Sequence, residues 1–181
     1  MTFPTITTTR LTMRPLVLKD ASALQRIYQA EGVLRYFPSP VPPPLEKVQK
    51  FIQNQSSHWR EHGYGNWALA LKDGGELIGW AGPQFLPETG ETEIGYLLAR
   101  PFWGYGYATE AARASLYFIF SNFDIPQVIA LVHPENAASR HVLEKCGLAL
   151  LDRKVYFGME MCRYTIERDH FIKIQTRDLL P

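Results

Sequence analysis

The sequence has almost no net charge. Nineteen Lys and Arg face eighteen Asp and Glu, leaving +1. That balance removes the electrostatic drive toward nucleic-acid backbones and anionic membrane surfaces, so neither is expected as a partner. Long apolar runs are missing too. No stretch of eighteen apolar residues occurs, and mean hydropathy is −0.17, which excludes a spanning helix. The first fifteen residues hold three consecutive Thr and two Arg but no apolar core of a secretion signal. Cysteine is scarce. Cys146 and Cys162 lie in apolar settings with neither metal spacing nor a disulfide framework, which points to a reducing cytoplasm. There is no internal repeat, and the one biased tract is Pro38 to Pro44. What remains is a 181-residue chain, 46% apolar. That is one domain's worth of sequence, with a core expected over 6–168 and a C-terminal tail over 169–181.

Residues 6–18 alternate apolar and polar around Pro15 and predict an edge-type strand. Asp20 stands where a helix N-cap belongs, followed by Ala23, Leu24, Ile27 and Tyr28 at helical spacing. The Pro-rich tract predicts a rigid loop. A second helix carries Val48, Phe51, Ile52 and Gln55 and ends near Gly63. Three strands are expected over 66–71, 76–85 and 92–98, the first two joined at Asp73-Gly74-Gly75. A helix with Ala108, Ala111, Ala112, Leu116, Ile119 and Phe120 on its stripe follows, then an apolar strand over 128–132. A short helix over 136–145 stops at Gly147, and a hairpin turned near Gly158 completes the pattern. The order is β-α-α-β-β-β-α-β-α-β-β. It predicts an α/β (α+β) domain with a mixed sheet of six to seven strands and helices on both faces.

The chemically informative segment is Leu97 to Ala112. A strand runs into W-G-Y-G-Y-A and straight into a helix. Gly104 and Gly106 let the backbone turn sharply, so that several N–H groups point one way. Those groups join the orphan amides of a helix start, where the macrodipole is positive. The segment reads as an anion site, best suited to a pyrophosphate. No Lys-Ser or Lys-Thr pair follows, so it is not a P-loop, and Thr109 stands where the third dinucleotide-binding glycine belongs. A plain strand–helix turn is the simpler alternative.

Its surroundings favour the anion site. T-R-L-T-M-R-P-L at 9–16, E-I-G-Y-L-L at 93–98, P-F-W-G-Y-G-Y-A-T-E-A at 101–111 and A-L-V-H-P-E-N-A-A-S-R-H-V-L-E-K-C-G-L at 130–148 occur in order. Together they resemble the GNAT superfamily of acetyl-CoA-dependent N-acetyltransferases. The likeness is greatest to the RimJ/RimL branch, whose members acetylate protein N-termini. The resemblance spans residues 6–168 and implies a GNAT-like fold with acetyl-CoA as cosubstrate and no metal. It implies that Trp103, Gly104, Tyr105, Gly106, Tyr107, Ala108 and Thr109 wrap the pyrophosphate. Trp103 replaces the polar residue of the general motif, as in that branch. The backbone of Tyr96, Leu97 and Leu98 would pair with the pantetheine arm, and Asn136 would hydrogen-bond it.

By the same resemblance, a primary amine attacks the thioester directly in a ternary complex. The amine arrives protonated, so a base is needed. Glu93, on the strand beside the arm, is the candidate, and a backbone N–H near Leu98 would hold the oxyanion. Relatives place a Tyr on the helix after the Asn motif to protonate the thiolate. Here that position is Leu143, and Ser139, one turn from Asn136, is the alternative donor. The acceptor is a protein N-terminus or a small-molecule amine, and the protein is a monomer or homodimer.

Two other readings compete. The missing Tyr at 143 admits an acetyl-CoA-binding sensor without turnover. His58, Glu61 and His62 match an inverted zinc-peptidase pattern, H-W-R-E-H, though no third ligand is evident. His133 reads as a strand-terminus residue and Cys146 as packing. Arg153, Lys154, Arg163 and Arg168 read as solvated strand faces.

Overall fold

The structure is a computed structural model and describes residues 3–177. Its strands are β1 (Ile6–Thr7), β2 (Leu11–Pro15), β3 (Trp67–Leu71), β4 (Leu77–Leu86), β5 (Glu91–Leu98), β6 (Gln127–Val132), β7 (Ala149–Tyr156) and β8 (Met159–Glu167). Its helices are α1 (Ala21–Gln29), α2 (Leu45–His62), α3 (Tyr107–Asn122), α4 (Ala137–Lys145) and α5 (Arg168–Arg177). The eight strands form one sheet in the order β1-β2-β3-β4-β5-β6-β8-β7. Every pairing is antiparallel except β5 with β6. The expected mixed sheet with helices on both faces is therefore present, with one strand and one helix more than the sequence pattern predicts.

The extra strand comes from a break in the expected 6–18 segment. The Thr8 N–H donates to the Leu11 carbonyl (2.9 Å), and the Leu11 N–H donates to Thr8 Oγ1 (3.0 Å). The hydroxyl closes a turn that folds β1 back on β2, an option Thr offers any extended chain. Nor does Asp20 cap α1 with its side chain. It is buried and accepts two bonds from the Arg14 guanidinium (2.7 and 2.8 Å) and one from the Val17 N–H (2.9 Å). The expected tail over 169–181 is also corrected. Residues 168–177 form α5, whose Phe171 is buried against Phe120 with ring centroids 5.3 Å apart. Positions 178–181 lie outside the described residues.

Two cores lie on opposite faces of the sheet. On one face α1 and α2 cover Ala68 and Leu97 through Leu24, Ile27, Val48 and Ile52. On the other, α3 and α4 cover Ile94, Leu98, Val128 and Ala130 through Ala111, Leu116, Ile119 and Leu143. Strand alternation assigns sides along β5. Leu97 faces α1 and α2, and so do Glu93 and Gly95. Ile94 and Leu98 face α3 and α4, and so does Tyr96.

Arg163 is not solvated as expected. It donates two bonds to Asp152 (2.9 and 2.7 Å) and one to Glu91 (2.6 Å), joining β5, β7 and β8. Arg168 is likewise engaged, with Asp124 (2.8 Å) and the Phe123 carbonyl.

Candidate active site

The site begins with a flaw in the sheet. β5 and β6 run parallel and pair only at Glu93 and Ile129. Beyond that pair Leu131 stays paired with β8 but not with β5, and its N–H donates to Glu93 Oε1 at 3.4 Å. On the β4 side the Ala99 N–H donates to the Ile78 carbonyl (2.8 Å) with Leu98 opposite Gly79, which fixes the phase of that ladder. The main-chain groups of Leu97 therefore turn toward β4, and those of Tyr96 and Leu98 turn into the gap. The Leu98 carbonyl is already taken, because Trp103 Nε1 donates to it at 2.8 Å.

A cavity of about 220 Å3 passes through this gap. Phe37 and Trp80, which pack with the α1/α2 core, line one end, and Leu143, from the α3/α4 core, lines the other. A pair of glycines lies beside the cavity. Gly82 and Gly95 stand opposite each other on β4 and β5. A Cβ on Gly95 would lie 3.4 Å from the Trp80 ring, and one on Gly82 would lie 2.4 Å from the Gly65 carbonyl oxygen.

Four of the expected site residues meet here, because Glu93, Tyr96, Asn136 and Ser139 all line the cavity. The Glu93 carboxyl is pushed up to about 7 by burial, with Glu91 adding to the rise and the Leu131 N–H opposing it. A carboxyl poised near neutrality suits a proton acceptor. Asn136 caps α4, its Oδ1 accepting the Ser139 N–H at 3.1 Å. Its amide nitrogen is thereby left for other partners.

Sequence reasoning missed the Tyr96 side chain. Its hydroxyl lies 2.8 Å from Ser139 Oγ and donates to the Ser139 carbonyl oxygen at 3.1 Å. Burial drives its pKa well up, so the phenol keeps its proton. A tyrosine hydroxyl thus reaches α4 from β5. Leu143, where the resemblance leads one to expect a tyrosine, is buried in the core.

The glycine loop lies past the end of β5. Gly104 and Gly106 adopt φ of +81° and +83°, where other residues are strained. Nothing lies within 4 Å of a Cβ placed on Gly104. The N–H groups of residues 104–109 find no main-chain acceptor, and the first helical bond belongs to Glu110, whose N–H donates to the Gly106 carbonyl (3.0 Å). Six consecutive orphan donors at a positive helix end fit a diphosphate.

Arg10, another residue without a predicted role, braces this loop. Its Nε donates to Glu110 Oε2 (2.7 Å) and its Nη1 to the Tyr105 carbonyl (2.8 Å). The guanidinium lies over the Tyr107 ring at 4.4 Å. Burial would raise the Glu110 pKa, but bonds from Thr8 and Arg10 outweigh it and hold the carboxyl low. The T-R-L-T string marked this segment, but the partner lies a hundred residues away.

The remaining candidates have structural employment. His58 Nε2 accepts the Phe85 N–H at 3.0 Å, and burial followed by the neighbouring His62 lowers the His58 pKa. Among the described residues no cluster of three metal-ligating side chains includes His58, Glu61 and His62. His133 stacks on Tyr36 at 5.2 Å, and its Nδ1 accepts the Glu135 N–H (3.2 Å). The Cys146 thiol is pushed up to about 11 by burial.

Known proteins bear on this geometry. Residues 10–149 match the acetyltransferase (GNAT) domain model. N-acetyltransferase p20 of Bacillus licheniformis is 30% identical over 77% of this chain and 79% of its own length. An acetyltransferase from Agrobacterium tumefaciens superposes with a TM-score of 0.80 at 28% identity, covering 92% of this chain and 96% of that one. RimL, the ribosomal L7/L12 alpha-N-protein acetyltransferase, was solved with coenzyme A. It shares the fold at 18% identity with a TM-score of 0.78, over 92% of this chain and 99% of its own. The chain belongs to the GNAT family of acetyltransferases.

Proposed function

We propose that the protein transfers an acetyl group from acetyl-CoA to a primary amine within a ternary complex, in the manner of the RimJ/RimL branch. The observation that carries this reading is the cavity through the β5–β6 gap. It brings a near-neutral carboxyl on one face of the sheet to a hydroxyl pair on the other. The orphan amides of residues 104–109, with Trp103 fixing the loop to Leu98, hold the diphosphate. The gap-facing N–H groups of Tyr96 and Leu98 donate to the pantetheine arm and the acyl oxygen, and Leu97 keeps β5 in register with β4. Asn136 offers its amide nitrogen to the arm. RimL, which shares the fold, was solved with coenzyme A, and this supports acetyl-CoA as the donor.

The cosubstrate supplies an activated carbonyl and a thiolate leaving group. Glu93 takes the proton that the attacking ammonium must lose, directly or through water. The C–N bond forms as the C–S bond breaks. Ser139 donates a hydrogen bond to the departing sulfur as the Tyr96 hydroxyl turns its proton from the Ser139 carbonyl to Ser139 Oγ. A thiol ionises near pH 8.5, so this sulfur needs a donor more than a strong acid.

The test is thioester release with a panel of amines across pH. Glu93 must be ionised to accept a proton, so activity should rise with pH through about 7 and fall away below it. Glu93→Gln should lower kcat by roughly 100-fold and erase that limb. An unchanged pH profile removes Glu93 as the base. Binding of acetyl-CoA without turnover on any amine would favour the sensor instead.

A further inference from the structure

Asn66, the residue before β3, is 1% exposed, yet its Oδ1 has no hydrogen-bond partner. Every other polar group of the residue is provided for. Its N–H donates to Gln55 Oε1 (3.0 Å), its carbonyl accepts from Trp59 Nε1 (3.2 Å), and its Nδ2 donates to Gln84 Oε1 (3.3 Å). Two side chains of α2 thus hold the main chain in place while one amide oxygen stays free. Native folds rarely leave a buried acceptor unmatched, and such an atom calls for a partner that arrives later. Asn66 lines the cavity, as do Gln84 and Glu93. Gln84 and Glu93 are directly opposed on β4 and β5, and Asn66 donates to Gln84, so the three are successive neighbours along one line of the cavity wall.

We propose that Asn66 Oδ1, with Glu93, forms an acceptor subsite for a primary amine that bears no carboxylate on the adjoining carbon. This rests on the acetyl-transfer reading above and specifies its acceptor. Both oxygens face a hydrogen-bond donor, as an ammonium or amine is. The other half of the inference is charge. Among the residues lining the cavity there is no Lys or Arg, and Glu93 is its carboxylate. Arg163, nearby on β8, is engaged by Asp152 and Glu91. His133 Nδ1 is engaged by the Glu135 N–H. An α-carboxylate would enter this space with no cation to meet it and with Glu93 repelling it.

The matched probes are phenylalaninamide and phenylalanine, which differ at the carboxyl carbon. The reporter is the Asn66 side-chain amide resonance of the wild-type protein, identified by its loss in Asn66→Asp. Phenylalaninamide should shift that resonance saturably, and phenylalanine should not at tenfold higher concentration. In turnover, kcat/KM for the amide should exceed that for the free acid by at least about 100-fold, and Gln84→Lys should narrow the ratio by admitting the acid. Equal shifts from both probes, or none from the amide, overturn the proposal. A saturable shift from the amide alone with no thioester release from any amine upholds the subsite and defeats acetyl transfer.

Discussion

At the α3 end the site is made of main chain: six amides, two left-handed glycines and a helix start. At the α1/α2 end it is made of side chains, Asn66 just before β3, Gln84 on β4 and Glu93 on β5, with Tyr36, Phe37 and Trp80 as an aromatic wall around them. On the proposed reading the first end holds the group that every turnover shares. The second meets whatever varies, and a side chain can be exchanged without disturbing a fold. The difference is visible in cost. A main-chain cradle is indifferent to most substitutions but intolerant of a Cβ at a positive φ. The side-chain end carries an unpaired buried acceptor, a burden of about 1–3 kcal/mol in the absence of a partner.

That contrast can be broken at three places. The largest effect is expected at Gly106→Glu, which strains a φ of +83° and sets a carboxylate against the orphan amides. Acetyl-CoA affinity by calorimetry should fall by at least about 100-fold, while circular dichroism and acceptor binding stay as they were. Next is Tyr96→Phe, which removes the hydroxyl beside Ser139. It should reduce kcat by roughly tenfold at an unchanged KM for the amine, and a phenyl- or nitrophenyl-activated acetyl donor, whose leaving group needs no help, should rescue it. A drop that persists with the activated donor would make Tyr96 a packing residue. The smallest effect is expected at Arg10→Ala, which loosens the loop without removing an amide. The KM for acetyl-CoA should rise about fivefold, and the KM for a short acetyl thioester lacking the diphosphate should stay put. Equal changes for both donors would place Arg10 in general stability instead.

The two ends were also unequally legible. The glycine loop can be read because its geometry is local. A strand, two glycines and a helix start within a dozen residues leave few conformations open. Glu93 is legible for a similar reason, since its strand runs into that loop. The Asn66–Gln84 contact spans 18 residues and the link to α2 another 11, and no spacing rule connects them. The Tyr96 hydroxyl was hidden by its place in a strand, where alternation gives a face but not a partner on a helix 43 residues away. Arg163 reads as solvated because its partners, Glu91 and Asp152, lie on other strands. The first strand was read too long because alternation continues through Thr8, whose hydroxyl turns the chain. The final helix was missed because Phe171 acquires meaning only against Phe120, half the sheet away in sequence.

The bond from the Leu131 amide to Glu93 joins catalysis to architecture. With Glu93 as the base, the carboxyl that receives the substrate's proton is also the one that accepts the Leu131 N–H where the two strands part. A neutral acid is a weaker acceptor than a carboxylate. Protonating Glu93 would therefore weaken this tie between β5 and β6, so the charge on one carboxyl bears on how firmly the two strands are held at the gap.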